Sequence, residues 1–502
     1  MSRAVSIWAY AAVWPGVLAD QFFGLPLAGI AAGQAMLLYL LLELPRQRRF
    51  ATILFLGLTA IGLAGIARAP DPLTLYFMGW RRGAVYGAFY LALSSLRDAA
   101  ETSPLVRRCG HHLAAQPAGR RYLALTGGGH LFGIILSYGA IDLLGAMVAG
   151  ANTEGGEAAR AARLRRMILA IQRGFCVMNC WSPLNLMTAV VSTAIPAAPM
   201  RALMPVAFLA ALGMTAIGWL EDRVRGGHAA AIAPEPSRDT WTVHLGIASL
   251  VGLVLILSEL ASLFLRVTLV AAVTLAVPLV ALVWGMAQGW TPGRMPGWTP
   301  GWTPGRTPGR PPGWMPGWTP GRTQGRTPGR TPGGRAVWPG LAGRGARFLR
   351  RLPDFRGEAA MLACSGFMGV AAAGLIPGEA VAALLAHVSP GAVPLLVPLL
   401  VPLLLILTGQ AGLNPVAVVA LLGAALPDPA ALGISPAILA LSCMLGWGVG
   451  VSLTPMSASA MIAARWAGVS PWSAGSAWNV WFGAGCLILT WAILLFAALL
   501  GL

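Results

Sequence analysis

Two short passages in otherwise apolar sequence carry the same ingredients: Ser182-Pro183 with Asn185, and Thr454-Pro455 with Ser457 and Ser459. Upstream of each lies a threonine beside glycine. Thr126 precedes Gly127, Gly128 and Gly129, and Thr408-Gly409 precedes Asn414. Proline removes a backbone donor and glycine loosens a helix, so each passage is a place where a helix breaks. Non-helical backbone at membrane depth survives only when buried in protein or lining a wet cavity. There, freed N–H groups face anions and freed carbonyls coordinate Na⁺, while hydroxyls bond a solute or ligate a cation. One such passage is an ordinary kink or packing point. Four in two matched pairs point to a substrate- and ion-binding site.

Ionisable side chains inside apolar segments are costly and count as functional candidates. Asp142 lies twelve residues after His130, so the pair could relay a proton and couple transport to its gradient. Glu259 and Arg266, near the junction of two spans, read as interface positions or as a structural ion pair. Arg81 and Arg82 read as an interfacial loop or snorkelling pair, and Glu379 and His387 as flanking a loop. Catalytic patterns are missing: there is no H-E-x-x-H, no G-x-S-x-G and no paired intramembrane acid. Without a G-x-x-x-x-G-K-(S/T) loop or a soluble domain, an ion gradient is expected to drive transport rather than ATP. The six cysteines lie scattered in apolar sequence and, even with Cys176 and Cys180 four apart, complete no metal site. No cofactor, metal or enzymatic role is expected. The competing readings are a membrane-embedded enzyme, or a channel or scaffold anchored by a cationic loop.

The elements that must position these residues are membrane helices. The 502-residue chain is 57% hydrophobic with only 10% charged residues, against about 25% in soluble domains. Each helical crossing needs roughly 20 apolar residues. Candidate spans fall near 4–19, 22–43, 51–67, 73–96, 123–150, 175–196, 201–219, 241–262, 264–288, 358–376, 391–407, 411–426, 435–452 and 474–501. The fold class is an all-α polytopic membrane protein with about 10–13 crossings. No cleavable signal peptide is evident. Basic connections at 46–49, 97–121 and 160–173 are expected on the cytoplasmic side of a bacterial inner membrane, which would make 123–150 a re-entrant hairpin.

The net charge of +18 is concentrated: residues 289–357 hold twelve Arg against Asp354 alone. Residues 289–332 are eleven tandem tetrapeptides of the form Gly-(Trp/Arg)-(Thr/Met/Pro)-Pro, with Gln324 in one proline position. Such a run builds no packed core. It reads as a disordered loop, either a tolerated repeat expansion or an attachment to anionic lipid headgroups. Nucleic acid is not an expected partner.

The two passages of each pair are separated by 56 residues in one half (126 to 182) and 46 in the other (408 to 454). Their shared order indicates an internal duplication. The expected organisation is a first transmembrane half at 1–225, the opening spans of the second at 226–288, the loop at 289–357 and the remainder at 358–502. The phrases "GLNPVAVVALLGAALP" and "GVSLTPMSASAMIAARWAGVSPW" resemble the ion transporter superfamily, which includes divalent-anion/sodium symporters, citrate permeases and arsenical pump proteins. The resemblance covers roughly 50–220 and 358–500. It implies two inverted repeats around one site, with hairpin tips at Thr126–Gly129 and Thr408–Asn414 and broken helices at Ser182–Asn185 and Thr454–Ser459. The family's Ser-Asn-Thr signature is absent. Inverted repeats would also put the basic segments 46–49 and 289–357 on opposite faces, where charge alone puts both in the cytoplasm. The function expected is secondary transport, such as symport, of a small anionic solute coupled to H⁺ or Na⁺. Anionic lipids and a second copy of the chain are further candidate partners.

Overall fold

The computed structural model describes residues 2–47, 49–101, 103–152, 156–225, 239–289, 337–375, 381, 383, 387–389 and 391–501. All regular structure among them is helical. The first half comprises α1 (Ser2–Phe23), α2 (Pro26–Glu43), α3 (Arg49–Ile66), α4 (Pro72–Glu101), α5 (Pro104–Ala114), α6 (Ala118–Leu136), α7 (Gly139–Ala151), α8 (Glu157–Met178), α9 (Leu186–Ala194) and α10 (Met200–Arg225). The second comprises α11 (Thr242–Phe264), α12 (Leu269–Gly289), α13 (Val337–Arg351), α14 (Arg356–Ala371), α15 (Val393–Gln410), α16 (Pro415–Ala425), α17 (Pro436–Leu453), α18 (Ala458–Ala467) and α19 (Val480–Leu499). Prolines open α2, α4, α5, α16 and α17, where the missing N–H has no helical partner to lose. Seven helical segments among the described residues are long and apolar enough to cross a membrane. Three shorter apolar helices, at 51–66, 139–151 and 415–425, supplement them.

Two apolar cores divide the molecule. One joins α1–α4 to α14, with Tyr10 stacked on Tyr39 and Trp80 stacked on Phe367. The larger one joins α5–α12 to α15–α19. Within it, α6 packs along α8 and α15 along α17. A β-carbon at Gly129 would run into the Ile171 carbonyl, and one at Gly174 into the Thr126 carbonyl. Glycine at both positions therefore sets the close approach of α6 and α8.

The chain folds back between α6 and α7. Leu144 of α7 lies against Gly128, and Leu144 and Met147 lie against Gly110 of α5. The span expected at 123–150 is thus a helical hairpin, but its turn is at Ser137–Tyr138, with Ser137 at φ 51°. The Thr126–Gly129 run sits inside α6 and is not the tip, because Gly128 and Gly129 are used for packing rather than for turning. In the second half the turn is where it was expected: Gly412 has φ 84°, and Asn414 caps α16 by accepting from the Val416 N–H at 2.8 Å.

The hairpin arms pack across the two halves of the sequence. The second hairpin arm of the first half, α7, lies on α18, and the second hairpin arm of the second half, α16, lies on α9. The broken helix α17–α18 is central: 89% of its most apolar window is buried, against 33% for α15 or α19.

Part of the segment expected as a loop at 289–357 is helical. In α13 and the turn after it, Phe348 and Leu349 pack on the first core, while Arg351 pairs with Asp98 at 2.5 Å and Glu101 at 3.1 Å. The tetrapeptide run beyond Gly289 and the residue Glu379 lie outside the described residues.

Candidate functional site

The first break separates α8 from α9. Ser182, Pro183 and Leu184 leave the helix, and Asn185 restarts it by accepting from the Met187 N–H at 3.0 Å. The Asn185 amide also bonds Asn179, itself anchored to the Phe175 carbonyl at 2.7 Å. Thr188 donates to the Ser182 carbonyl at 2.8 Å, which pins the turn from the α9 side. The Ser182 hydroxyl is fully buried and has no hydrogen-bond partner among the described residues. Thr126, in the α6 wall against α8, is in the same condition.

The second break separates α17 from α18. Here the Thr454 hydroxyl donates to the Gly409 carbonyl at 2.6 Å, tying the break to the α15 turn. Ser457 donates to the Thr454 carbonyl at 3.0 Å, accepts from the Ala460 N–H at 3.1 Å and lies 2.9 Å from the Ser459 hydroxyl. Thr408 donates back to the Leu404 carbonyl at 2.6 Å. Gly475 brings the turn after Trp472 to within contact of the Thr454 carbonyl and Pro455.

The two broken helices pack against one another in the middle of the bundle. Cys180, beside the first, lies against Gly448 of α17 and is 3.9 Å from the Leu445 carbonyl. Cys176, one turn earlier, is 3.9 Å from the Ser459 hydroxyl. The structure therefore packs the helix entering the first break against both arms of the second, with Thr408–Asn414 flanking the second break.

Asp142 and His130 do not form a relay. Asp142 accepts from Arg465 and, at 2.8 Å, from the Trp466 indole, so it bridges α7 to α18. His130 instead accepts from the Trp181 indole at 2.6 Å. The twelve-residue spacing spans the Ser137 turn, which gives each side chain a different neighbour. Glu259 pairs with Arg201 at 2.6 Å rather than with Arg266. Arg81 is not in a loop: within α4 it grips the buried Asp20 with two bonds of 2.6 and 2.8 Å.

Several polar residues escaped the sequence reading because nothing near them in the chain marks them. Gln410 donates to the Leu453 carbonyl at 2.8 Å, and Ser476 donates to the same carbonyl at 2.7 Å. Arg173, expected in the basic connection 160–173, is instead buried in α8, where it pairs with Glu221 at 3.0 Å and donates to Asn479 at 2.9 Å, joining the first broken helix to the start of α19. Gln172 is fully buried with neither end of its amide partnered among the described residues. An arginine or glutamine inside an apolar span was the available signal.

Beside α9 opens a cavity of about 800 Å³. Thr188, Ser192 and Thr193 line one wall, and Arg81, Arg82 and Arg201 reach it from α4 and α10. Thr188 thus belongs both to this wall and to the bond that pins the first break.

The fold is similar to that of the YdaH transporter of Alcanivorax borkumensis, whose crystal structure is described as revealing an unusual topology. The match has a TM-score of 0.50 at 16% identity and covers 83% of this chain and 85% of that one. No family model and no curated protein sequence matches the chain. The likeness establishes a helical membrane fold of the kind that transporter has.

Proposed function

We propose that the protein is a secondary transporter of a small anionic solute in a bacterial inner membrane, coupled to H⁺ or Na⁺. The observation that carries the reading is the meeting of two broken helices, one from each half, at the centre of the bundle. Broken helices facing one another across a repeat interface are how transporters hold solutes. The fully buried, unpartnered Ser182 hydroxyl supports a solute contact there, since such a group otherwise carries a desolvation cost. Arg82 at the neighbouring cavity, which forms no ion pair among the described residues, supports an anion. The resemblance of the two breaks to the ion transporter superfamily agrees with this reading. We assign no catalytic role; anionic lipids and a second copy of the chain are its proposed partners.

Counterflow in liposomes tests it. The purified chain should exchange at least one member of a panel of carboxylates, sulfate, arsenite and phosphate, and an imposed H⁺ or Na⁺ gradient should accelerate uptake. Uptake indifferent to both gradients would overturn the coupling. Absence of exchange for the whole panel would overturn the solute class.

A further inference from the structure

We propose that the cavity beside α9 binds an organic anion with one charged head and an apolar body, and that Arg82 holds the head. Among the described residues, three guanidinium groups line this cavity and no carboxylate-bearing residue does. Two of the three are engaged with acids, Arg81 with Asp20 and Arg201 with Glu259. Arg82 differs. Among the described residues its hydrogen bond is a long one, 3.4 Å, to the Thr193 carbonyl, and it forms no ion pair. A guanidinium in that position has donors left to grip an oxyanion with two parallel bonds.

The rest of the lining decides the class. The Thr188, Ser192 and Thr193 hydroxyls each donate to a nearby backbone carbonyl. Arg82 therefore supplies the charge-assisted donors in this wall. Met78, Val85, Pro196, Pro199, Leu269 and Val370 make most of the remaining surface apolar. A bare sulfate or phosphate would leave those walls unmatched, whereas a carboxylate with a ring or short chain covers them. The volume lies in the range of small-molecule pockets, about 300–1,000 Å³.

This deepens the transport reading by naming its solute class, and binding is measured apart from transport so that the two fail separately. Titration calorimetry on the full chain in detergent would compare benzoate and octanoate with their neutral amides and with sulfate. At least one acid should bind about tenfold or more tighter than its amide, and tighter than sulfate. Arg82→Gln should weaken that acid about tenfold or more, and Arg82→Lys less, because it keeps the charge and loses the fork. A second readout leaves Arg82 intact. All six native cysteines are buried, so maleimide should label a Ser192→Cys variant at the cavity, and the acid should slow that labelling while its amide does not. Equal affinity in Arg82→Gln, equal protection by acid and amide, or no binding by either acid would overturn the inference. Binding without counterflow would instead sink the transport reading and leave the cavity assignment standing.

Discussion

The two breaks share a sequence pattern and differ in how their polar groups are satisfied. Thr454 at the second donates to Gly409, and the Leu453 carbonyl beside it accepts from both Gln410 and Ser476. Ser182 at the first has a buried hydroxyl with no such bond. The contrast extends beyond the breaks. Among the described residues, the buried side-chain atoms lacking a hydrogen-bond partner all precede residue 259. A break whose groups are all engaged is a structural joint. One that keeps a buried hydroxyl available is where a solute gains a bond without another being broken first.

The tie between the two regions gives the largest expected effect. Arg173→Met should cost about 3–5 kcal/mol, because Glu221 keeps its charge in a mostly buried place. Chemical unfolding of the purified protein measures it; a loss no larger than that of an exposed pair, under about 1 kcal/mol, would show that the buried pair adds nothing to the packing around it.

Next comes Thr454→Val, which leaves the Gly409 carbonyl without its donor. Stability should fall by about 1–3 kcal/mol while the transport KM stays near that of the parent. A raised KM with unchanged stability would make the second break a solute contact and erase the contrast. Ser182→Ala should behave in the opposite way. Its stability should be unchanged or slightly raised, and KM should rise several-fold, for the loss of one bond of about 0.5–1.5 kcal/mol. Since the two hydroxyls serve different partners, the double variant should be additive within about 0.5 kcal/mol. A larger coupling would show that both bind the same species. The smallest effect is expected from deleting residues 290–334, which should leave uptake within about twofold of the parent. Lost uptake in a normally inserted deletion variant would give the tetrapeptide run a function.

Legibility in the sequence followed the range of the interactions. The helix breaks at Pro183 and Pro455 could be read because proline acts on its own backbone, and Asn185, Asn414 and Ser457 cap the helices that follow them. The first hairpin turn could not. A glycine run marks either a turn or a close approach, and only the presence of α8 opposite Gly129 decides that this one is packing. The Asp142–His130 relay failed for a related reason, since sequence spacing assumes a continuous helix and the chain reverses at Ser137 between them.

Membrane residence, the helical class and the broken-helix pairs were determined by the sequence itself, because hydropathy and backbone chemistry are properties of each segment. Which hydroxyl is engaged, which arginine faces an acid and which faces a cavity were decided only by the tertiary structure. Ser182 and Thr454 occupy matched places in the chain, yet the Gly409 carbonyl stands opposite only one of them. Arg81 and Arg82 are neighbours in the chain and both line the cavity, yet only Arg81 meets Asp20, and Arg82 forms no ion pair among the described residues.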